Sequence, residues 1–273
     1  MAPAGASAYI GEVKNIAALP SRAVILASGP DAVSLLNGLL TQTVTPGELR
    51  FAGLLTPQGR LLYDLFVAVN GETVLLDVPA EHRDAILMRL TMYKLRAKVE
   101  LKASDLKVHA LFGFEPGAID GYPADPRLPA LGWRFYGDDP KAEGTEDDYD
   151  AHRLALGVPG PTDWGTDKTY PIEADFDLLN GIDFKKGCFV GQETTSRMKR
   201  RGTIKNRMLP LVFDGPAPAF GTEVLAGELR AGEVLSGRDG RAMALLRLDR
   251  IEGADLTTDG RPVRVDRPDW LPA

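Results

Sequence analysis

The chain has 273 residues, of which 44% are hydrophobic and 26% charged, and its formal net charge is −6. This length can bury one large core or two to three smaller ones, so the composition excludes a disordered chain. The acidic balance argues against a dedicated nucleic-acid binder, and no apolar run approaches the roughly 18 residues that a membrane span needs.

The cysteine usage and the N-terminus predict a cellular location. Cys188 is the single cysteine, so the chain cannot form an internal disulfide or supply four thiolates to a cluster, and no metal site is predicted. Residues 1–8 lack the basic and apolar regions of a secretory signal. These features predict a cytoplasmic protein that has no membrane segment.

The first part of the chain alternates strand-like and helix-like segments. Residues 9–13 and 23–27 have strand length, and Gly29-Pro30-Asp31 predicts a helix with proline at its first position. Asn70-Gly71 predicts a hairpin, and residues 79–93 predict a second helix. This order is typical of an α+β sandwich of ferredoxin-like type.

Two aspartates, Asp64 and Asp77, interrupt apolar strands. A buried carboxylate is costly unless it is paired or binds something, so either residue is a candidate for lining a pocket. The favoured interpretation for each one is that it points to the solvated face of its strand.

The most informative stretch is Lys185-Lys186-Gly187-Cys188-Phe189-Val190-Gly191-Gln192-Glu193. It leads into a helix predicted over residues 192–201, with an acid near its start, bases near its end and Gly202 as its stop. Neighbouring ammonium groups and a helix N-terminus favour a thiolate, so Cys188 is predicted to be reactive. The alternative is that Cys188 is a small apolar core residue.

Residues 186–193 resemble the K-G-C-F/Y-x-G-Q-E motif of the YgfZ-type folate-binding proteins, relatives of the glycine-cleavage aminomethyltransferase, or T-protein. Residues 29–42 and 170–177 extend this resemblance. The resemblance implies an aminomethyltransferase-like, folate-binding α+β fold that takes tetrahydrofolate or a one-carbon derivative. It also implies a role in iron-sulfur cluster assembly or repair, with iron-sulfur client or assembly proteins as partners.

The resemblance also implies roles for individual residues. The implied groups are Cys188, Lys186 and Asp64 as catalytic residues and Glu173, Asp64, Arg197, Gln192 and Glu193 as folate-binding residues. In this interpretation Asp64 and Glu173 face the pterin ring and Arg197 holds the glutamate tail. The thiolate would act on a one-carbon adduct, a persulfide or a partner's thiol. Glu173 has an equally weighted alternative as a helix cap.

Two alternatives remain open at this point. The chain could be an aminomethyltransferase, although Tyr63 and Ala155 stand where that reaction uses carboxylates, and whether the chain turns over a substrate is left open. It could instead be an RNA-binding module, because residues 197–207 are strongly basic in an acidic chain. Direct nucleic-acid binding is the less favoured of the two.

From Leu209 onward, short apolar runs alternate with glycine and proline turns, which predicts a small antiparallel barrel. The predicted organisation is a folate-binding region of two α+β subdomains over residues 1–203, followed by a C-terminal β-barrel domain over residues 204–273.

Overall fold

Two sheets and a closed barrel hold the strands of the chain, in a computed structural model that describes residues 15–114, 121–138, 142–202 and 204–272. The strands are β1 (Ile16–Ala18), β2 (Arg22–Ser28), β3 (Arg50–Leu55), β4 (Leu61–Asn70), β5 (Thr73–Pro79), β6 (Glu100–Ser104), β7 (Val108–Leu111), β8 (Trp133–Tyr136), β9 (Asn206–Val212), β10 (Glu223–Ala226), β11 (Leu229–Arg238), β12 (Arg241–Arg247), β13 (Leu256–Thr258) and β14 (Arg261–Val265). The strand predicted at residues 9–13 lies outside the described residues.

The helices are fewer than the strands among the described residues. They are α1 (Ala32–Asn37), α2 (Arg83–Lys94), α3 (Glu146–Ala155), α4 (Pro161–Trp164), α5 (Gln192–Arg201) and α6 (Leu248–Ile251). In the part of the chain that the structure describes, no helix is long and apolar enough to cross a lipid bilayer.

The chain divides into two units. The first consists of the described residues up to Gly38 together with Gln42–Ala52 and Leu65–His152, and the second of Leu39–Thr41, Gly53–Asp64 and the chain from Arg153 onward. The sequence-based boundary at residue 203 remains a prediction.

The first unit contains most of a five-stranded sheet, in the order β3-β4-β5-β2-β6, and a three-stranded sheet, in the order β1-β7-β8. The predicted hairpin joins β4 to β5, where Asn70 pairs with Thr73 and Gly71 has a φ of 60°. Glycine favours this turn because it reaches positive φ at little cost.

Both predicted helices of this unit begin later than the sequence indicates. Asp31 is the N-cap of α1, so Pro30 lies before the helix and not at its first position. A short 3-10 turn, Ala80–His82, precedes α2. Ile86 and Leu90 are the buried residues of α2, whereas the apolar side chain of Met92 is 63% exposed.

Asp77 is completely buried at the centre of a charged cluster, so the interpretation that it faces solvent is wrong. Its carboxylate accepts hydrogen bonds from Arg22 Nε and Arg134 Nη1, each at 2.6 Å, and from the Tyr136 hydroxyl at 3.2 Å. The Arg134 guanidinium also lies 3.5 Å from the centre of the Phe66 ring. Because Arg22 is on β2, Asp77 on β5 and Arg134 on β8, the cluster joins the two sheets of the first unit.

The second unit contains the barrel, whose six antiparallel strands follow the order β10-β11-β12-β9-β14-β13 and close by the pairing of β10 with β13. Its core is aliphatic and includes Leu209, Val224, Val234 and Leu246. Val224 and Leu246 alternate with more exposed neighbours along their strands, as a closed sheet filled by side chains requires.

Candidate functional site

Cys188 is exposed on the loop that leads into α5, and this loop belongs to the second unit. The alternative that it is a small apolar core residue is therefore wrong. An exposed thiol can reach a substrate or a partner without a conformational change.

Lys186 fastens the first half of this loop. Its ammonium group donates to the backbone oxygen of Leu40 at 2.7 Å and lies 5.4 Å from the centre of the Phe189 ring, which is buried. Partial burial lowers the pKa of Lys186 to about 8, against the opposing effect of Asp183. Asp183 in turn donates its backbone N–H to the Thr41 carbonyl at 3.0 Å. Lys186 is thus an anchor of the loop.

Gly191 fastens the other end of the loop and is the N-cap of α5, with a φ of 82°. A Cβ atom here would lie 2.6 Å from the Thr56 carbonyl oxygen and 3.0 Å from the Gly59 Cα, so only glycine fits. Thr56 and Gly59 close a β-turn, since the Gly59 N–H donates to the Thr56 carbonyl at 2.9 Å. Gly187, by contrast, faces open space.

Helix α5 has the predicted bounds and ends at Gly202, which is left-handed with a φ of 67°. One face of it forms the wall of a recess of about 500 Å³, which we call the α5 recess. The residues that line it are Phe184, Gln192, Glu193, Ser196, Lys199 and Arg200. Two of the predicted folate-binding residues, Gln192 and Glu193, therefore meet in one cavity.

The other predicted residues lie elsewhere. Arg197 is exposed on α5 and does not line the α5 recess. Asp64 is only 2% exposed within β4, so the interpretation that it faces solvent is wrong, and it does not line the recess either.

Glu173 is held by two protein donors. One carboxylate oxygen accepts from the Tyr170 backbone N–H at 3.1 Å, three residues earlier, and the other accepts from the Asn206 side-chain amide at 3.0 Å. Residues 171–180 form turns and not a helix, so the first bond holds a turn and the alternative that Glu173 caps a helix is wrong. A carboxylate has about four acceptor positions, so two donors leave capacity for a ligand.

A buried ion cluster lies next to the segment that contains Glu173, and the sequence does not predict it. Arg207 donates to Asp175 at 2.6 Å and to Asp177 at 3.0 Å, and Lys199 donates to Asp177 at 3.1 Å. Burial raises the pKa of Asp175 to about 8 although Arg207 opposes the shift, and the second carboxylate oxygen of Asp175 has no hydrogen-bond partner among the described residues. The only signal in the sequence was that Arg207 belongs to a basic run, which indicated a surface instead.

Comparison with known proteins matches residues 205–273 to the family model of the CAF17 C-terminal beta-barrel domain. The chain is also similar to the mitochondrial iron-sulfur cluster assembly factor IBA57 of Mus musculus, with 30% identity over 93% of the chain and 84% of that protein. IBA57 homologs of Neurospora crassa and Mycosarcoma maydis are 32% and 31% identical, and the chain spans 58% and 57% of their lengths.

The fold is similar to a solved structure, the glycine cleavage system aminomethyltransferase T from Bartonella henselae. The two superpose with a TM-score of 0.75 over 94% of this chain and 86% of that protein. At 17% identity this likeness concerns the fold alone. It confirms the predicted aminomethyltransferase-like α+β fold with its C-terminal antiparallel barrel.

These relatives overturn one prediction. The mouse and fungal proteins are named as mitochondrial, which points to mitochondria, and the predicted cytoplasmic location is therefore wrong. Composition could not reveal this, because a reducing compartment and the absence of a secretory signal do not single out the cytoplasm.

The match to the mouse protein covers most of both sequences. The match to the C-terminal beta-barrel family and the shared fold agree with it. The chain belongs to the IBA57 family of iron-sulfur cluster assembly factors.

Proposed function

We propose that this protein supports iron-sulfur cluster assembly by presenting Cys188 to a partner protein while it binds a reduced folate. The observation that carries the proposal is the exposed thiol on a loop fastened at both ends, by Lys186 on Leu40 and by Gly191 on the turn at Thr56. A loop held in this way keeps the thiol accessible without losing chain entropy when a partner arrives.

The partner must be a protein that brings its own ligands. Iron-sulfur clusters are typically held by four thiolates, whereas this chain has one cysteine. Cys188 therefore acts together with groups from an iron-sulfur client or assembly protein, with the cluster as cargo.

Folate binding is supported by the chemistry of the side chains near the loop. Glu173 keeps acceptor capacity for the N–H groups of a pterin, and the α5 recess has the size of a small-molecule site. A bound tetrahydrofolate would supply a one-carbon carrier. Asp64 stays a candidate for the pterin end, and Lys186 acts by holding the Cys188 loop.

The finer assignment is that the chain works as YgfZ-type proteins do, with the folate-binding residues within residues 1–203. Its support is the motif at residues 186–193, which also holds the exposed thiol.

The two alternatives are less well supported. Aminomethyl transfer needs carboxylates where Tyr63 and Ala155 stand. RNA binding needs free cations, but Arg207 is buried on two aspartates and Lys199 is paired with Asp177. This leaves fewer charges to neutralise phosphates than the sequence indicates.

Two measurements test the proposal. Isothermal titration calorimetry with tetrahydrofolate should give saturable binding, and Cys188→Ser should leave that affinity within about two-fold because it changes a single exposed atom. The same variant should fail to restore iron-sulfur enzyme activity in cells that lack the endogenous factor. Full restoration by Cys188→Ser would remove the thiol from the mechanism, and absence of binding would remove the folate.

A further inference from the structure

The α5 recess combines an aromatic ring with cations on one helix face. Phe184 is 36% exposed, and the Lys199 ammonium group lies 5.4 Å from the centre of its ring. Gln192, Ser196 and Arg200 recur four residues apart along α5, so they point to the same side of the helix.

The two cations that line the recess differ in their ion pairs. Lys199 is paired with the buried Asp177 at 3.1 Å. Arg200 makes no ion pair with any described residue and donates only a long 3.4 Å bond to the Ser196 carbonyl. Glu193 is the acid that lines the recess and belongs to the first turn of the helix, whereas Lys199 and Arg200 belong to the last. The recess is therefore polarised along the helix, with its free cation at the C-terminal end.

We infer that the α5 recess binds the benzoyl-glutamate tail of a folate, with Arg200 holding its carboxylates. This inference rests on the proposed folate binding and names the part of the ligand that this cavity takes.

The chemistry of the tail matches the lining of the recess. An arginine guanidinium pairs with a carboxylate through two parallel hydrogen bonds, which a tail glutamate offers. The exposed Phe184 ring provides an apolar surface for the aryl group of the tail. Gln192 and Glu193 are acceptors for its amide N–H, and the negative charge of Glu193 keeps the tail carboxylates away from that end.

A tail site predicts that added glutamates increase affinity, because each brings another carboxylate to the cation end. The test is calorimetry of the full chain with the mono- and triglutamate forms of tetrahydrofolate. We expect the wild-type protein to bind the triglutamate about ten-fold more tightly, with the preference falling as salt screens the contact.

Two arginines on the same helix then compete as the source of this preference. Arg200→Gln should abolish this preference, and it should also weaken monoglutamate binding, because the single glutamate already carries two of the carboxylates that Arg200 holds. Arg197→Gln removes the same charge from α5 outside the recess and should keep the preference. Circular dichroism of both variants checks that α5 is intact.

The outcomes separate the two proposals. If the wild-type protein binds both folates equally well, the tail inference falls and the proposed folate binding stands. If Arg197→Gln abolishes the preference and Arg200→Gln does not, the tail lies outside the recess and the inference is overturned. If neither folate binds, the folate part of the proposed function falls together with the inference.

Discussion

At the scale of single residues, the motif contains two glycines with opposite surroundings. Gly191 has a φ of 82° and no room for a Cβ atom, whereas an added Cβ at Gly187 meets no atom within 4 Å. Gly191→Ala should destabilise the protein by about 2–4 kcal/mol, from the left-handed backbone and the clash with Thr56 together. Urea unfolding measures this change.

Gly187→Ala is the matched control for that prediction. It adds the same methyl group in open space and should change the free energy of unfolding by less than about 0.5 kcal/mol. Equal effects of the two substitutions would mean that the loop does not pack on the turn at Thr56.

Asp175 makes the folding stability depend on pH with the opposite sign to most carboxylates. Burial raises its pKa in the folded state to about 8, above the ordinary value of 3.8, so the folded state binds more protons between these values. The free energy of unfolding therefore falls as pH rises from about 4 to 8. The slope reaches at most about 1.4 kcal/mol per pH unit. The side chain of the Asp175→Asn variant cannot ionise, so its free energy of unfolding should lack this pH dependence. The stability of the variant relative to the wild type should therefore increase as pH rises.

Urea unfolding at intervals from pH 5 to 8 tests the prediction. Asp249→Asn, at an exposed aspartate that pairs with Arg247, removes a carboxylate without changing the slope. If Asp175 were instead ionised against Arg207 throughout this range, Asp175→Asn would cost about 3–5 kcal/mol at every pH.

At the scale of secondary structure, local sequence patterns predict the features that contacts between neighbouring residues determine. The bounds of α5, the hairpin at Gly71 and the turn from Thr56 to Gly59 follow from capping, glycine and proline chemistry within a few neighbouring residues. The recess at Phe184 could not be predicted in this way, because it joins a loop residue to a helix face. The burial of Arg207 depends on residues about 30 positions earlier in the chain, which no local pattern reveals.

The cluster around Asp77 shows how charges on different strands stabilise the first unit. Asp77→Asn should destabilise the protein by about 3–5 kcal/mol, because it leaves Arg22 and Arg134 buried without a counter-charge. Thermal unfolding followed by circular dichroism measures the loss. Asp84→Asn, at an exposed pair with Arg83, should leave the melting temperature within about a degree.

At the scale of the whole molecule, position 203 is the predicted boundary between a folate-binding region and a barrel, yet several contacts within the second unit cross it. The Met208 N–H donates to the Glu173 carbonyl at 2.8 Å, and the Asn206 side chain donates to the Glu173 carboxylate at 3.0 Å. Arg207 donates hydrogen bonds to the buried carboxyl groups of Asp175 and Asp177. The barrel strand β9 therefore supports the segment that precedes the Cys188 loop.

A chain that ends at residue 203 should consequently lose the order of residues 170–190, because two buried carboxylates would lose their arginine. Hydrogen exchange read by mass spectrometry should show these peptides unprotected in the shortened chain and protected in the full one. Peptides from β2 and β5 of the first unit serve as the internal reference, since their pairing lies wholly within that unit. Equal protection of residues 170–190 in both chains would establish the boundary at 203 as a true domain limit and show that the site stands without the barrel.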